Sequence, residues 1–530
     1  MGKNRFENGV TRCKKKVPYP PSNHIPLICL CSKGKYANVL SSFNLKGSPT
    51  DFRSDCLMSV FLSVYEFSSN LAVQFSSFLF FTHKEALRMQ IDFTTGSIGK
   101  KIFLFTLPLM AGDVFQQLYN VVDTLIVGRY AGVAVLAAVG SSYTLMTFLS
   151  SVLIGLCMGS SAWLSIQVGR GGQEGRMRTG LFLSFLLIGI LMALLTGASY
   201  LFLPQIIHIL QIPPDVMAPM KEYLTIILMG MGAVFLLNYL AAFLRAIGNS
   251  VTPLYFLAGA MVINIVLDLY FIVSLHMGAS GAAWATVISQ YAAAVGLALY
   301  CAGKMAPFWP KAADRHWDRS IFKEMCNLSL MTSVQQSIMN LGILAIQGLV
   351  NSFGTVIMAA FSIAVKIDTL AYTPVQDYGN AFSTFVAQNY GAGRWDRIRK
   401  GVRLSLWILL FFCGLISTIV WFAAAPLMGI FVDASETAVI AEGVRYLRIE
   451  GSLYIGIGIL FLLYGYYRAI NSPFMSIVLT VISLGTRVAL AFLLAPLPEF
   501  GVSAIWAAIP IGWFLADMVG LLWMRRMRTA

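Results

Sequence analysis

Two stretches of the chain are copies of one another: Gln167 to Gly180 reads QVGRGGQEGRMRTG, and 221 residues later Gln388 to Gly401 reads QNYGAGRWDRIRKG. Leu107-Pro108-Leu109-Met110 recurs as Leu328-Ser329-Leu330-Met331 at the same spacing, and Arg245-Ala246-Ile247 recurs as Arg468-Ala469-Ile470 at 223. A repeat of this length exceeds any solenoid unit, and in an apolar chain it implies two membrane bundles facing one another. The chain is apolar: 57% of its residues are hydrophobic, 12% are charged and its mean hydropathy is +0.73. Soluble domains carry about a quarter charged residues.

Apolar runs of about 20 residues, the length needed to cross a bilayer, fall near 100–128, 134–165, 178–205, 218–245, 251–275 and 279–303, and again near 321–350, 355–388, 401–425, 438–467, 473–495 and 502–524. The fold class expected is therefore an all-α polytopic membrane protein with twelve transmembrane helices in two parallel six-helix repeats, 95–312 and 313–530. Six is even, so each copy enters and leaves on one side, and the halves are expected to be related by an axis along the membrane normal. Lys100, Lys101, Arg170, Arg176, Arg178, Arg245, Lys304, Lys311, Arg394, Arg397, Arg468, Arg525 and Arg526 fall on one side of this alternation. By the positive-inside rule both termini are cytoplasmic. The net charge of +14 is read as this topology signal, with no nucleic-acid partner implied.

Residues 1–94 lie outside the repeat and are expected to be a poorly structured extension. They hold twelve of the 38 Lys and Arg residues and four of the eight Cys. Their apolar run, Leu57 to Phe81, is interrupted by Glu66, Asn70 and Gln74 and makes a weak span. Met89 stands just before the repeat begins, which suggests a start there. Cys29 and Cys31 have no second pair at metal-ligand spacing, so neither a zinc site nor a disulfide framework is expected.

Because an ionisable side chain in hydrocarbon costs at least about 2.5–3.5 kcal/mol on insertion scales, each one inside a span is a candidate for function. In the first span Gln117, Tyr119, Asn120 and Asp123 make a polar stripe, with Tyr119 and Asp123 four residues apart on one helix face. In the fifth, Asn264 and Asp268 repeat that spacing inside an apolar run. Two carboxylates with polar neighbours suit a hard monovalent cation or a carried proton. The second half does not repeat them, so ion coupling is assigned to the first half. Gln336 and Asn340 in span seven, and Lys366, Tyr372 and Asp377 in span eight, are candidates to line a substrate cavity. Arg487 is read as a structural or snorkelling residue, and Asp113 as an isolated acid. Phosphate-loop, metalloprotease and nucleophile-elbow motifs are missing, which points to an ion gradient as the energy source and to a protein that is not an enzyme.

Gln116-Gln-Leu-Tyr-Asn-Val-Val-Asp-Thr-Leu-Ile-Val-Gly-Arg129, Leu244-Arg-Ala-Ile-Gly-Asn249, Gly281-Ala-Ala-Trp-Ala-Thr286 and Gln388-Asn-Tyr-Gly-Ala-Gly393 together resemble the multidrug and toxic-compound extrusion (MATE) family over about residues 95–528. The resemblance implies two six-helix lobes around a central cleft that opens alternately to each side. It also implies export of small organic cations in exchange for Na⁺ or H⁺, by a monomer in the cell (inner) membrane with no cofactor beyond the coupling ion. In such proteins a first-span Asp, a fifth-span Asn and Asp and a sixth-span Thr form the cation site, roles that fall here on Asp123, Asn264, Asp268 and Thr286. The 94-residue leader departs from the family pattern. The main alternative is a lipid-linked oligosaccharide flippase of the same superfamily, for which Lys366 is the chief cation offered to the cavity. An ion channel or membrane receptor is the remote one.

Overall fold

The protein is described from a computed structural model over residues 90–172, 174–209, 213–433 and 435–529. The expected extension to residue 89, with its weak span, Met89 and Cys29-x-Cys31, lies outside the described residues. Within them the chain is helical, in the order α1 Ile98–Ile126, α2 Val133–Arg170, α3 Glu174–Leu201, α4 Leu203–Ile209, α5 Pro214–Met229, α6 Met231–Ala246, α7 Val251–Asp268 and α8 Gly278–Lys304, followed by α9 Arg319–Asn351, α10 Thr355–Gly391, α11 Trp395–Gly429, α12 Thr437–Gly451, α13 Tyr454–Ala469, α14 Pro473–Leu494 and α15 Val502–Thr529.

Eight of these helices are long and apolar enough to cross a membrane, and the bent pairs α5–α6 and α12–α13 supply two more. The remaining two of the twelve spans are α1 and α9, whose apolar runs are interrupted by the polar stripes read in the sequence. The outer surface is apolar, with Leu299, Phe411 and Phe422 well exposed, as a lipid-facing belt requires.

The duplication is also written in the backbone. Gly132 and Gly354, 222 residues apart, precede α2 and α10 at φ +91° and +96°. The fourth and tenth spans break at equivalent places, by 45° after Met229 and by 52° after Gly451. Gly248 and Asn471 take left-handed conformations 223 residues apart, just beyond the Arg-Ala-Ile copies. Asn is the residue other than Gly that adopts this conformation most readily, so the second copy keeps the turn without the glycine.

The lobes pack against each other at the end that carries the basic loops. Gly155 and Gly159 of α2 abut Ser333 and Ser329 of α9, so closely that a side chain at either glycine would run into backbone. This is reciprocal small-residue packing of the kind that lets membrane helices touch. Nearer the helix ends, Gly169 meets the Gln388 carbonyl and Gly391 meets the Ile166 carbonyl, so the two copied motifs seal against one another. Each lobe also lends the start of its first helix to the other. Ile102 and Phe105 of α1 join the second-lobe core, and Ile321, Met325 and Leu328 of α9 join the first.

Residues 91–96 lie across this seal. The Ile91 N–H donates to the Gly248 carbonyl in the first lobe, while the Phe93 N–H donates to Gln388 Oε1 and its carbonyl accepts from Asn389 Nδ2 and Arg397 Nη2 in the second. Gln388 Nε2 returns to the first lobe at the Ala246 carbonyl. Phe93 is fully buried, edge-on to Phe105 and Phe385, which contributes about 1.5–3 kcal/mol. The stretch thus fastens one lobe to the other.

Candidate ion site and interlobe cavity

α1 and α7 pack together in the first lobe, and each carries its acid near its far end, where the winding loosens from α to π over Val127–Ala131 and Leu269–Ser274. Such π turns often mark functional positions in helices. The two π segments pack through Val127 and Ile272, and this brings the carboxyl groups of Asp123 and Asp268 into hydrogen-bonding reach of each other. Asp268 and Asn264 are fully buried and Asp123 is 9% exposed. Asp123 Oδ1, both Asp268 oxygens and both polar atoms of Asn264 lack a hydrogen-bond partner. Carboxylate oxygens only accept, so neither acid can satisfy the other without a proton or a cation between them. Tyr119, one turn before Asp123, exchanges a 3.0 Å hydrogen bond with Thr286 of α8, and Tyr223 of α5 also faces both acids. Among the described residues, the groups that face the two acids are the neutral Tyr119 and Tyr223. The residues fit a small hard cation or a proton, and among the described residues no positive side chain forms an ion pair with either acid.

A cavity of about 470 Å³ lies between the lobes, beyond the seal. Of the expected substrate residues, Tyr119, Gln336 and Asp377 line it, as does Asp113. Gln336 Nε2 lies 3.7 Å from Met158 Sδ across the lobe boundary. Gln117 is exposed on another face of α1, and its neighbour Gln116 takes the cavity position. Asn120 is half-buried away from the cavity, and its carbonyl accepts from Thr124. Asn340 donates to the Gln336 carbonyl within α9. Tyr372 lies in the second-lobe interior. Lys366, read as the cavity's chief cation, is exposed and off the cavity. Among the described residues the cavity's cations are Arg245 and Arg468, whose positions near span ends read in the sequence as loop charges. Each sits in the last turn of a bent span and turns inward instead of out to solvent.

The second lobe has a buried acid pair of its own. Asp368 of α10 and Glu450 of α12 lie in hydrogen-bonding reach, with Tyr446 and Tyr454 beside them and the Arg487 guanidinium facing both. Glu450, Tyr223 and Asp517, the last buried on α15 with both carboxyl oxygens unpartnered, were missed in the sequence reading. Asp517 was findable as an acid within an apolar span.

A membrane protein of two repeated helical lobes around a central cavity is built as a transporter. The MatE family profile matches this chain over residues 108–270 and again over 332–493, one match per lobe, and the chain belongs to that family. It is 31% identical to the probable multidrug resistance protein YpnP of Bacillus subtilis, over 74% of this chain and 87% of that one. It is 27% identical to YoeA, a second probable multidrug resistance protein of that organism, over 78% and 90%. A solved structure described as the outward-facing conformation of a multidrug resistance MATE family transporter superposes with a TM-score of 0.76 at 22% identity, covering 82% of this chain and 96% of that one. The protein is a multidrug-efflux-type membrane transporter and not an enzyme.

Proposed function

We propose that the protein is a secondary active antiporter that exports small organic cations in exchange for Na⁺ or H⁺. It works as a monomer in the cell membrane, with both termini and the sealed end of the lobes facing the cytoplasm. The observation that carries this reading is the Asp123–Asp268–Asn264 cluster, where buried carboxyl oxygens and an amide stand without hydrogen-bond partners among the described residues. An ion arriving from outside would satisfy them, and its occupancy would bias the packing of α1 against α7 and α8 through the Tyr119–Thr286 contact. Differential ion binding between two lobe arrangements is what lets a gradient drive export. A lipid-linked sugar flippase has less support, because among the described cavity residues only Arg468 lacks a counter-charge for a pyrophosphate.

The test is ethidium efflux from cells under imposed Na⁺ and proton gradients, comparing the wild type with Asp123→Asn. Efflux that follows one gradient and is lost in the variant supports the antiporter and identifies its ion. Efflux that ignores both gradients, or that survives unchanged in Asp123→Asn, refutes it.

A further inference from the structure

Four charged residues line the cavity among those described: Asp113 of α1, Arg245 of α6, Asp377 of α10 and Arg468 of α13. Arg245 and Arg468 are the copied arginines of the duplication, and their surroundings differ. Arg245 faces both Asp113 and Asp377. Those two carboxyl groups come from opposite lobes and lie in hydrogen-bonding reach of each other. A hydrogen bond between two carboxyls needs a proton, and Arg245 is the guanidinium that faces both.

Arg468 has no such match. It is 6% exposed. Its Nε donates to Ser383 Oγ and its Nη2 to Asn380 Oδ1, both at 3.3 Å and both neutral acceptors. Among the described residues no carboxylate lies within 4 Å of its guanidinium. Asp377, one turn from Asn380 on α10, keeps its Oδ2 unpartnered instead of turning to it. Burying a cation without a counter-ion is costly, and among the described residues two of the five guanidinium N–H groups have a protein acceptor. The guanidinium fork matches carboxylate, sulfonate and phosphate oxygens.

We propose that Arg468 receives an anionic group of the transported compound, a carboxylate, sulfonate or phosphate, and so sorts compounds that carry such a group from those that do not. The assignment rests on the export reading and narrows its substrate class. The second copy of the Arg-Ala-Ile motif thereby becomes a specificity residue, while the first faces a carboxyl pair of the protein.

The experiment uses a matched dye pair that differs only in its acidic group: tetramethylrhodamine free acid and its methyl ester. Binding of each to the purified full chain in detergent is followed by fluorescence polarisation. The wild type is expected to bind the free acid about tenfold more tightly than the ester, as a charge-assisted contact provides. Arg468→Gln keeps a group that can bond Asn380 and Ser383 and is expected to bring the acid-to-ester ratio close to one. Arg468→Lys, which keeps the charge without the fork, is expected to fall between. The proposal is overturned if the wild type fails to prefer the acid, or if Arg468→Gln leaves the ratio unchanged by weakening both dyes equally or neither. Should Arg468→Gln fail to fold, the wild-type ratio and Arg468→Lys still decide. Export itself is judged separately by ethidium efflux, which needs no acidic group on the dye, so a failure here and a failure there are distinct results.

Discussion

Each lobe buries two carboxyl groups within reach of one another, and the two pairs are furnished differently. In the first lobe Asp123 and Asp268 are surrounded by Asn264, Tyr119, Tyr223 and Thr286, all neutral. In the second, Asp368 and Glu450 have Tyr446 and Tyr454 beside them and Arg487 facing them. A buried acid pair faced by its own guanidinium is offset in part: Arg487 closes no ion pair within 4 Å among the described residues, and its Nε, Asp368 Oδ1 and Glu450 Oε2 stay unpartnered. A pair without a guanidinium can be satisfied by a proton or a metal cation, which the proposed antiport would exchange there. Under the proposed antiport reading the two repeated lobes divide the work: the second keeps a cation of its own facing its acids, and the first takes its cation from the gradient.

The comparison is most open to attack by removing charges from each side in turn. Asp268→Asn is expected to lower gradient-driven ethidium efflux about a hundredfold or more, because the ion loses a buried ligand. The same variant is expected to hold or raise the melting temperature of the purified protein, since an uncompensated buried acid is removed. Arg487→Gln should do the reverse in stability. Leaving Asp368 and Glu450 buried without their cation is expected to destabilise by about 3–5 kcal/mol, read as a lowered melting temperature. If Arg487→Gln is thermally silent, the second-lobe pair is not offset as described. Arg487→Gln combined with Glu450→Gln should recover part of that loss, a coupling that a double-mutant cycle measures directly. Thr286→Val removes only the 3.0 Å partner of the Tyr119 hydroxyl and is expected to cost about 1 kcal/mol, visible as a modest rise in the ion concentration for half-maximal efflux.

The smallest effect lies outside both pairs. Asp318, ahead of α9, accepts from the Ile321 and Ser320 N–H groups at 3.0 and 2.8 Å, and these bonds hold its carboxyl below the usual range. Its stabilising effect is present above the unfolded carboxylate's pKa, about 3.9, and fades as the pH falls through the lower folded value. Asp318→Ala should therefore lower the melting temperature slightly at neutral pH and not at strongly acid pH. A shift of the same size at both would contradict the cap.

Much of the architecture is legible in the sequence, because a bilayer imposes run lengths that hydropathy reports directly. The twelve spans and the repeat offset reappear in the Gly132 and Gly354 turns and in the paired helix breaks. Asp123, Asn264 and Asp268 stood out for the same reason, as polar groups in otherwise apolar runs. What the pattern could not resolve was helix phase and depth. Gln116 and Gln117 differ by one residue, about 100° of turn, and only the first lines the cavity. Arg468 is close to a span end, where a topology charge and a cavity residue have the same signature in sequence. Glu450 was hidden by the break at Gly451, which divides its span into two short helices with Arg445 and Arg448 nearby.

The most direct test of the division between the lobes is ion release on substrate binding. Ethidium is added to the purified, weakly buffered protein while proton and Na⁺ release are recorded, for the wild type, Asp268→Asn and Glu450→Gln. Release from the wild type and Glu450→Gln, with none from Asp268→Asn, is the predicted result and places the exchanged ion in the first lobe. Release that persists in Asp268→Asn and disappears in Glu450→Gln would contradict the account and move the coupling site to the second lobe.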